Sequence, residues 1–93
     1  MVAIKKSKPI SQIKKGDKIK IDGRQCEVDA HYVLIDHGTT KEMAIEVYDP
    51  KAKEGEGEGQ IRYFNDQAED TLKYFELEND FLYGEKEVEK VEW

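Results

Sequence analysis

The chain has 93 residues, of which 39% are charged and 38% hydrophobic, with 21 acidic against 15 basic side chains and a formal net charge of −6. That length fits one small domain with a single core and leaves little room for a deep catalytic cleft. No apolar run is long enough to span a membrane, residues 1–10 hold no apolar leader stretch, and Cys26 is the single cysteine; a reduced, cytoplasmic location and a fold held by packing alone are therefore expected.

Residues 1–8 carry Lys5, Lys6 and Lys8 and are expected to form a flexible basic tail ahead of one domain spanning 9–93. From Lys18 to Asp22 polar and apolar residues alternate, and Asp22-Gly23 follows, a pair suited to the positive φ angles of a tight hairpin. The next strand places Cys26, Val28, Ala30, Tyr32 and Leu34 on one face. From Val33 and Ile35 its other face turns apolar, so this strand is expected to end buried on both sides, as a bent strand of a small barrel would. His37-Gly38-Thr39-Thr40 is turn chemistry, and Met43, Ile45 and Val47 then alternate with polar neighbours until Asp49-Pro50 stops the strand.

Residues 51–59 alternate glycine with glutamate at their end and are expected to form a mobile loop. Two further strands are expected at Ile61–Phe64 and Thr71–Leu77, separated by the polar turn Asn65–Asp70. Tyr63, Phe64, Tyr74, Phe75, Phe81 and Tyr83 are expected in the core, since acidic neighbours oppose their use as a base-stacking platform. Residues 85–93 are ambiguous: Val91 and Trp93 share a face if the segment is a strand, while Val88 and Val91 have helical spacing; a closing strand is preferred. The predicted core comprises Ile13, Ile19, Ile21, Cys26, Val28, Ala30, Leu34, Met43, Ile45, Val47, Ile61, Tyr63, Leu72, Tyr74, Leu77, Phe81 and Val91. The fold class expected is all-β, a small barrel of five to six strands.

Charge is distributed unevenly. Residues 1–24 hold eight basic and two acidic side chains, and the remainder holds seven against nineteen. A basic edge made of Lys5, Lys6, Lys8, Lys14, Lys15, Lys18, Lys20 and Arg24 is therefore the candidate RNA-binding surface, while the acidic remainder repels nucleic acid or attracts a basic protein. Catalytic chemistry finds no constellation. Cys26 and His31 lie five positions apart on an expected strand, too far for a nucleophile and its base if the strand is straight. His31, His37, Asp29 and Asp36 match no zinc spacing, the acidic glycine loop lacks EF-hand geometry, and no glycine motif precedes a helix. No enzyme activity, cofactor, metal or small-molecule substrate is expected.

Ile10 to Glu27, ISQIKKGDKIKIDGRQCE, resembles the opening of the N-terminal domain of translation initiation factor 5A and of its bacterial relative elongation factor P. There a K-x-G-D-x-hydrophobic strand leads through D-G into the next strand. The likeness covers roughly residues 10–75 and implies an SH3-like barrel. Asp36-His37-Gly38-Thr39-Thr40-Lys41 is similar to the family loop K-x-G-K-H-G-x-x-K, which makes these six residues candidate loop-tip binding residues. Asp36 stands where that family carries its modified lysine, so hypusine is not expected, and the family's C-terminal oligonucleotide-binding domain has no counterpart in the matched region. The expected function is a non-catalytic, translation-linked module binding RNA or the ribosome. The alternative is a module that binds a basic protein through acidic faces bearing Glu76, Glu78, Glu85, Glu87 and Glu89.

Overall fold

The computed structural model describes residues 2–53, 57–79 and 82–93. Eight strands form one sheet: β1 (Ala3–Lys5), β2 (Lys18–Ile21), β3 (Arg24–Asp36), β4 (Lys41–Tyr48), β5 (Glu58–Phe64), β6 (Lys73–Asn79), β7 (Leu82–Lys86) and β8 (Lys90–Glu92). A 3-10 turn at Ile10–Gln12 and a single helical turn, α1 (Ala68–Thr71), complete the described elements. The spatial order is β1-β8-β2-β3-β4-β5-β6-β7, and the sheet curls into a half-barrel. All-β character is as expected, but the strand count exceeds the five or six anticipated.

The strands beyond six are β7, which pairs with β6, and β1, which brings the two ends of the chain together. β1 pairs in parallel with β8, placing Ile4 beside Val91, which is fully buried. Ala3 N–H donates to Glu89 O, Trp93 N–H to Lys5 O and Ser7 N–H to Trp93 O, so the segment expected to be an unpaired tail is hydrogen-bonded into the sheet. The cause is apolar: Val2 and Ile4 pack against the core and repay the cost of ordering those few residues. β8 in turn pairs with β2, opposite Lys20 and Ile21, so the closing strand is present.

The Asp22-Gly23 turn joins β2 to β3 with φ values of +48° and +83°, as the sequence requires. Cys26 and Val28 face the core, but the register between β3 and β4 shifts at Asp29. The extra residue reverses the alternation. His31, opposite the fully buried Ile45, now takes the core side, while Tyr32 is carried to the other face. A second shift at Leu34 follows, and Val33 and Ile35 are 46% and 48% exposed. The expectation that this strand ends buried on both sides is thus corrected. β2 pairs with β3 only as far as Glu27, so the outer part of β3 has no strand covering that edge among the described residues.

Ile45, Ile61 and Tyr74 form one cross-strand row of the core, and Met43 stands opposite Tyr63 in the next. Of the predicted core, Ala30, Leu34, Met43 and Leu77 are only half-buried, Phe81 lies outside the described residues, and Ile10 is an unanticipated member. The aromatic residues divide between faces: Tyr63 and Tyr74 are buried, whereas Phe64, Phe75 and Tyr83 are half-buried. The Arg62 guanidinium lies 4.1 Å above the Phe75 ring on the face opposite Ile61. Gln60, the one buried polar residue among those described, is satisfied there: its amide donates to Tyr32 Oη and its oxygen accepts from Arg62 Nε.

Within the loop expected over 51–59, residues 54–56 lie outside the described set, and Glu58 and Gly59 belong to β5 rather than to a loop. Gly59 is required there because Tyr74 lies against it: a Cβ would stand 2.5 Å from the Tyr74 hydroxyl oxygen. Among the described residues no helix is long and apolar enough to cross a membrane.

Candidate nucleic-acid interface

Register alone brings part of the basic edge together. Lys5, Glu92, Lys20 and Gln25 form one row across β1, β8, β2 and β3. Beside this row opens a hollow of about 310 Å³ whose lining includes Lys5, Lys6, Lys18, Lys20 and Trp93. Trp93 is half-buried, and its indole N–H donates to Lys8 O at 2.8 Å, which fixes the ring against the first segment of the chain.

Two neighbouring hollows share walls with the first. Lys18, Lys20 and Gln25 also line one of about 580 Å³ that adds Arg24 and Lys51. Lys6 also lines a third, of about 500 Å³, which adds Lys41. Shared lysines therefore join three depressions into one basic track on a protein whose net charge is negative.

Three carboxylates, Glu27, Asp49 and Glu92, temper the track without cancelling it. Lys18 pairs with Glu27 at 2.8 Å and Arg24 with Asp49 at 2.6 Å. The Asp49 hydrogen bond raises the Arg24 pKa, and the reciprocal bond from Arg24 holds Asp49 below its ordinary range. Glu92 is also held low, first by its hydrogen bond from Lys90 and then by the charges of Lys90, Lys20 and Lys5. Exposed pairs of this kind are worth little in water, so a phosphate can take over the lysine partner at small cost.

The remaining predicted residues are placed elsewhere. Lys8 donates to Asp17, whose carboxylate also accepts the Lys14 N–H, and the Lys8 hydrogen bond is the main reason its pKa is lowered. Lys14 and Lys15 are exposed in the turn before β2 and line none of the three hollows. In the loop 36–41, Asp36 accepts the Gly38 N–H, Gly38 has a φ of +87°, and the His37 ring lies 5.8 Å from that of Phe64. The single Thr40 hydroxyl proton lies between Asp66 Oδ1 at 2.7 Å and Asn65 Oδ1 at 3.1 Å, and Lys41 N–H donates to Asn65 Oδ1. Asp36 to Thr39 are exposed, and of the six residues Lys41 is the one that lines any of these three hollows.

Sequence reasoning missed Trp93 and Lys51. Nothing local in the sequence marks Trp93, which reaches the basic edge only through the parallel pairing of the chain's two ends. It also missed the His31–Tyr63 pair. Tyr63 Oη lies 2.6 Å from His31 Nε2, and His31 Nδ1 lies 2.7 Å from Ile13 O. A carbonyl only accepts, so Nδ1 carries a proton, and in the neutral ring Nε2 accepts from Tyr63. Burial pushes the Tyr63 phenol up to about 12, which keeps it a donor. Cys26 is buried with its thiol pushed up, first by burial, which opposes formation of the thiolate. Among the described residues no group of three or more His, Cys, Asp or Glu side chains is placed to hold a metal ion.

Comparison of the chain with protein-family models, with curated proteins and with solved structures gives no match.

Proposed function

We propose that the protein is a non-catalytic module that binds single-stranded RNA along the basic track. The observation that carries this reading is the set of hollows joined by Lys6, Lys18 and Lys20, with Trp93 set among the lysines. Single-strand binders combine a cationic groove for the backbone with aromatic faces on which bases stack. The acidic remainder of the surface confines a polyanion to this face. The half-barrel is read as a variant of the SH3-like architecture, and the likeness of residues 10–27 to translation factors favours ribosomal or messenger RNA as the strand. The acidic-face alternative has weaker support, since Glu76 is half-buried.

Trp93 is the single tryptophan, so its fluorescence reports on the site directly. Titration with a uridine dodecamer at low salt is expected to quench that emission saturably, with affinity falling as salt rises. Unchanged emission and anisotropy at low salt would remove the reading. Saturable binding of a basic peptide with no RNA binding would replace it by the alternative.

A further inference from the structure

The third hollow differs from the other two. It lies between the 3-10 turn and the outer ends of β3, β4 and β5, and Ile10, Val33 and Met43 give it an apolar wall. Its charged lining residues are Lys6 and Lys41, with no carboxylate among the residues that line it. Asn65 and Ser11 stand at its polar side. The Asn65 amide oxygen accepts the Lys41 N–H, which leaves its NH2 as the end able to donate to a ligand. Tyr63 Oη spends its proton on His31 and keeps lone pairs to accept a ligand hydroxyl or amine. At about 500 Å³ the hollow falls in the range of small-molecule sites.

An apolar wall, one acceptor, amide and hydroxyl donors and two ammonium groups are the complement of a planar heterocycle joined to an anion. We infer that this hollow binds a nucleoside monophosphate, with the base against Val33 and Met43 and the phosphate between Lys6 and Lys41. The same chemistry is offered by a free mononucleotide and by the 5′-phosphorylated end of a strand lying in the track. The second source rests on the RNA reading above; Lys6, common to both hollows, makes the two sites contiguous. The asymmetry of the β3 register creates the site, because the bulge at Asp29 is what turns His31 inward toward Tyr63.

The test uses the full chain, labelled for amide NMR, with AMP, UMP and inorganic phosphate as free probes. Two octauridylates, with and without a 5′-phosphate, are the strand probes. Lys41→Glu reverses one ammonium, and Val33→Trp, at a position already 46% exposed, fills the hollow from its rim without emptying the core. AMP or UMP is expected to shift the amides of Ser11, Val33 and Asn65 saturably, with affinity reduced by about tenfold or more in either variant, the worth of one lost charge-assisted contact or more. Equal affinity for inorganic phosphate, or no saturable shift with any mononucleotide, overturns the inference; if both octamers still quench Trp93, the RNA reading survives that failure. Mononucleotide binding with no octamer binding upholds the hollow with a free nucleotide as its ligand and sinks the RNA reading instead. A preference for the 5′-phosphorylated octamer that Lys41→Glu abolishes, while Lys5, Lys18 and Lys20 substitutions weaken both octamers alike, assigns the ligand to the strand end.

Discussion

Tyr63 donates its buried hydroxyl to His31 Nε2 at 2.6 Å, and His31 passes the connection on to the Ile13 carbonyl at 2.7 Å. This relay ties the segment before β2 to the C-terminal end of β5 through a side chain that reaches inward because of a bulge. Replacing His31 by alanine removes both bonds and leaves a buried hydroxyl without its acceptor. Tyr63→Phe keeps the ring and deletes one neutral bond. His31→Ala is expected to cost about 2–3 kcal/mol and Tyr63→Phe about 1 kcal/mol, in that order, by urea unfolding.

Gly59 and Gly23 separate two reasons for glycine. A methyl at Gly59 would meet the Tyr74 ring at 2.5–2.8 Å, within the core row of Ile61 and Tyr74. At Gly23 there is open space, but φ is +83°. Gly59→Ala is expected to cost about 1–3 kcal/mol through overpacking, and Gly23→Ala about 1 kcal/mol through backbone strain. Adding Tyr74→Leu is expected to recover part of the Gly59→Ala loss and none of the Gly23→Ala loss, as the urea midpoints of the two single and two double variants will show.

The alternation of residues 18–22, 43–47 and 61–63 made the central strands and most of the core legible, because each of these strands keeps one face buried without interruption. β3 defeated the same reasoning. Its alternation reads Cys26, Val28, Ala30, Tyr32, Leu34, but two register shifts break the period, and a bulge has no residue signature in a run of Asp, Ala and His. The ends of the chain were misread for a different reason: Val2-Ala3-Ile4 is too short to announce a strand, and its partner lies 87 residues away in sequence. The site shared that fate. Lys5, Lys18 and Lys20 were legible as charge, but which lysines converge depended on the parallel β1–β8 pairing, and Lys14 and Lys15 looked equivalent to them until the fold separated them.

That separation gives a quantitative comparison. Each phosphate contact on a single strand contributes about 0.7 to the slope of log affinity against log salt. Lys5, Lys18 and Lys20 replaced together by alanine should reduce the slope by about 2. Replacing Lys14 and Lys15 should leave it within error of the original. Anisotropy titrations between low and physiological salt measure both, and equal effects from the two sets would place the strand elsewhere.

Acid should loosen the fold in a defined direction. Hydrogen bonds from Lys8, Arg24, Lys18 and Lys90 hold the carboxyls of Asp17, Asp49, Glu27 and Glu92 below their ordinary ranges. A depressed folded-state pKa contributes stability above the unfolded value, near 4, and that contribution is lost as pH falls through the folded value. The urea midpoint is expected to hold between pH 7 and about 5 and to decline below about 4. Arg24→Gln should make the acid decline shallower, since Asp49 then loses the largest cause of its lowered pKa and keeps mainly the Lys51 N–H. High salt should reduce the difference because the pairs are exposed.

Asp22 couples the hairpin turn to the binding face. Its Oδ1 accepts the N–H groups of both Glu89 and Lys90 at 2.8 Å, and its own N–H donates to Lys90 O, so one side chain in the β2–β3 turn sets the start of β8. Its φ of +48° is the left-handed conformation that Asp and Asn tolerate best among residues with a Cβ. Asp22→Asn keeps an acceptor oxygen and the backbone preference and is expected to be nearly neutral. Asp22→Ala loses two hydrogen bonds and pays the left-handed penalty, about 2–3 kcal/mol in all. β8 carries Val91 and leads directly to Trp93, so the loss should appear there first. Faster exchange of the Val91 amide and a red shift of Trp93 emission are expected in Asp22→Ala and not in Asp22→Asn. The same variant should weaken uridine dodecamer binding although Asp22 lines none of the three hollows of the track. Destabilisation with unaltered Trp93 emission and unaltered RNA affinity would show that β8 is positioned by its strand pairing alone.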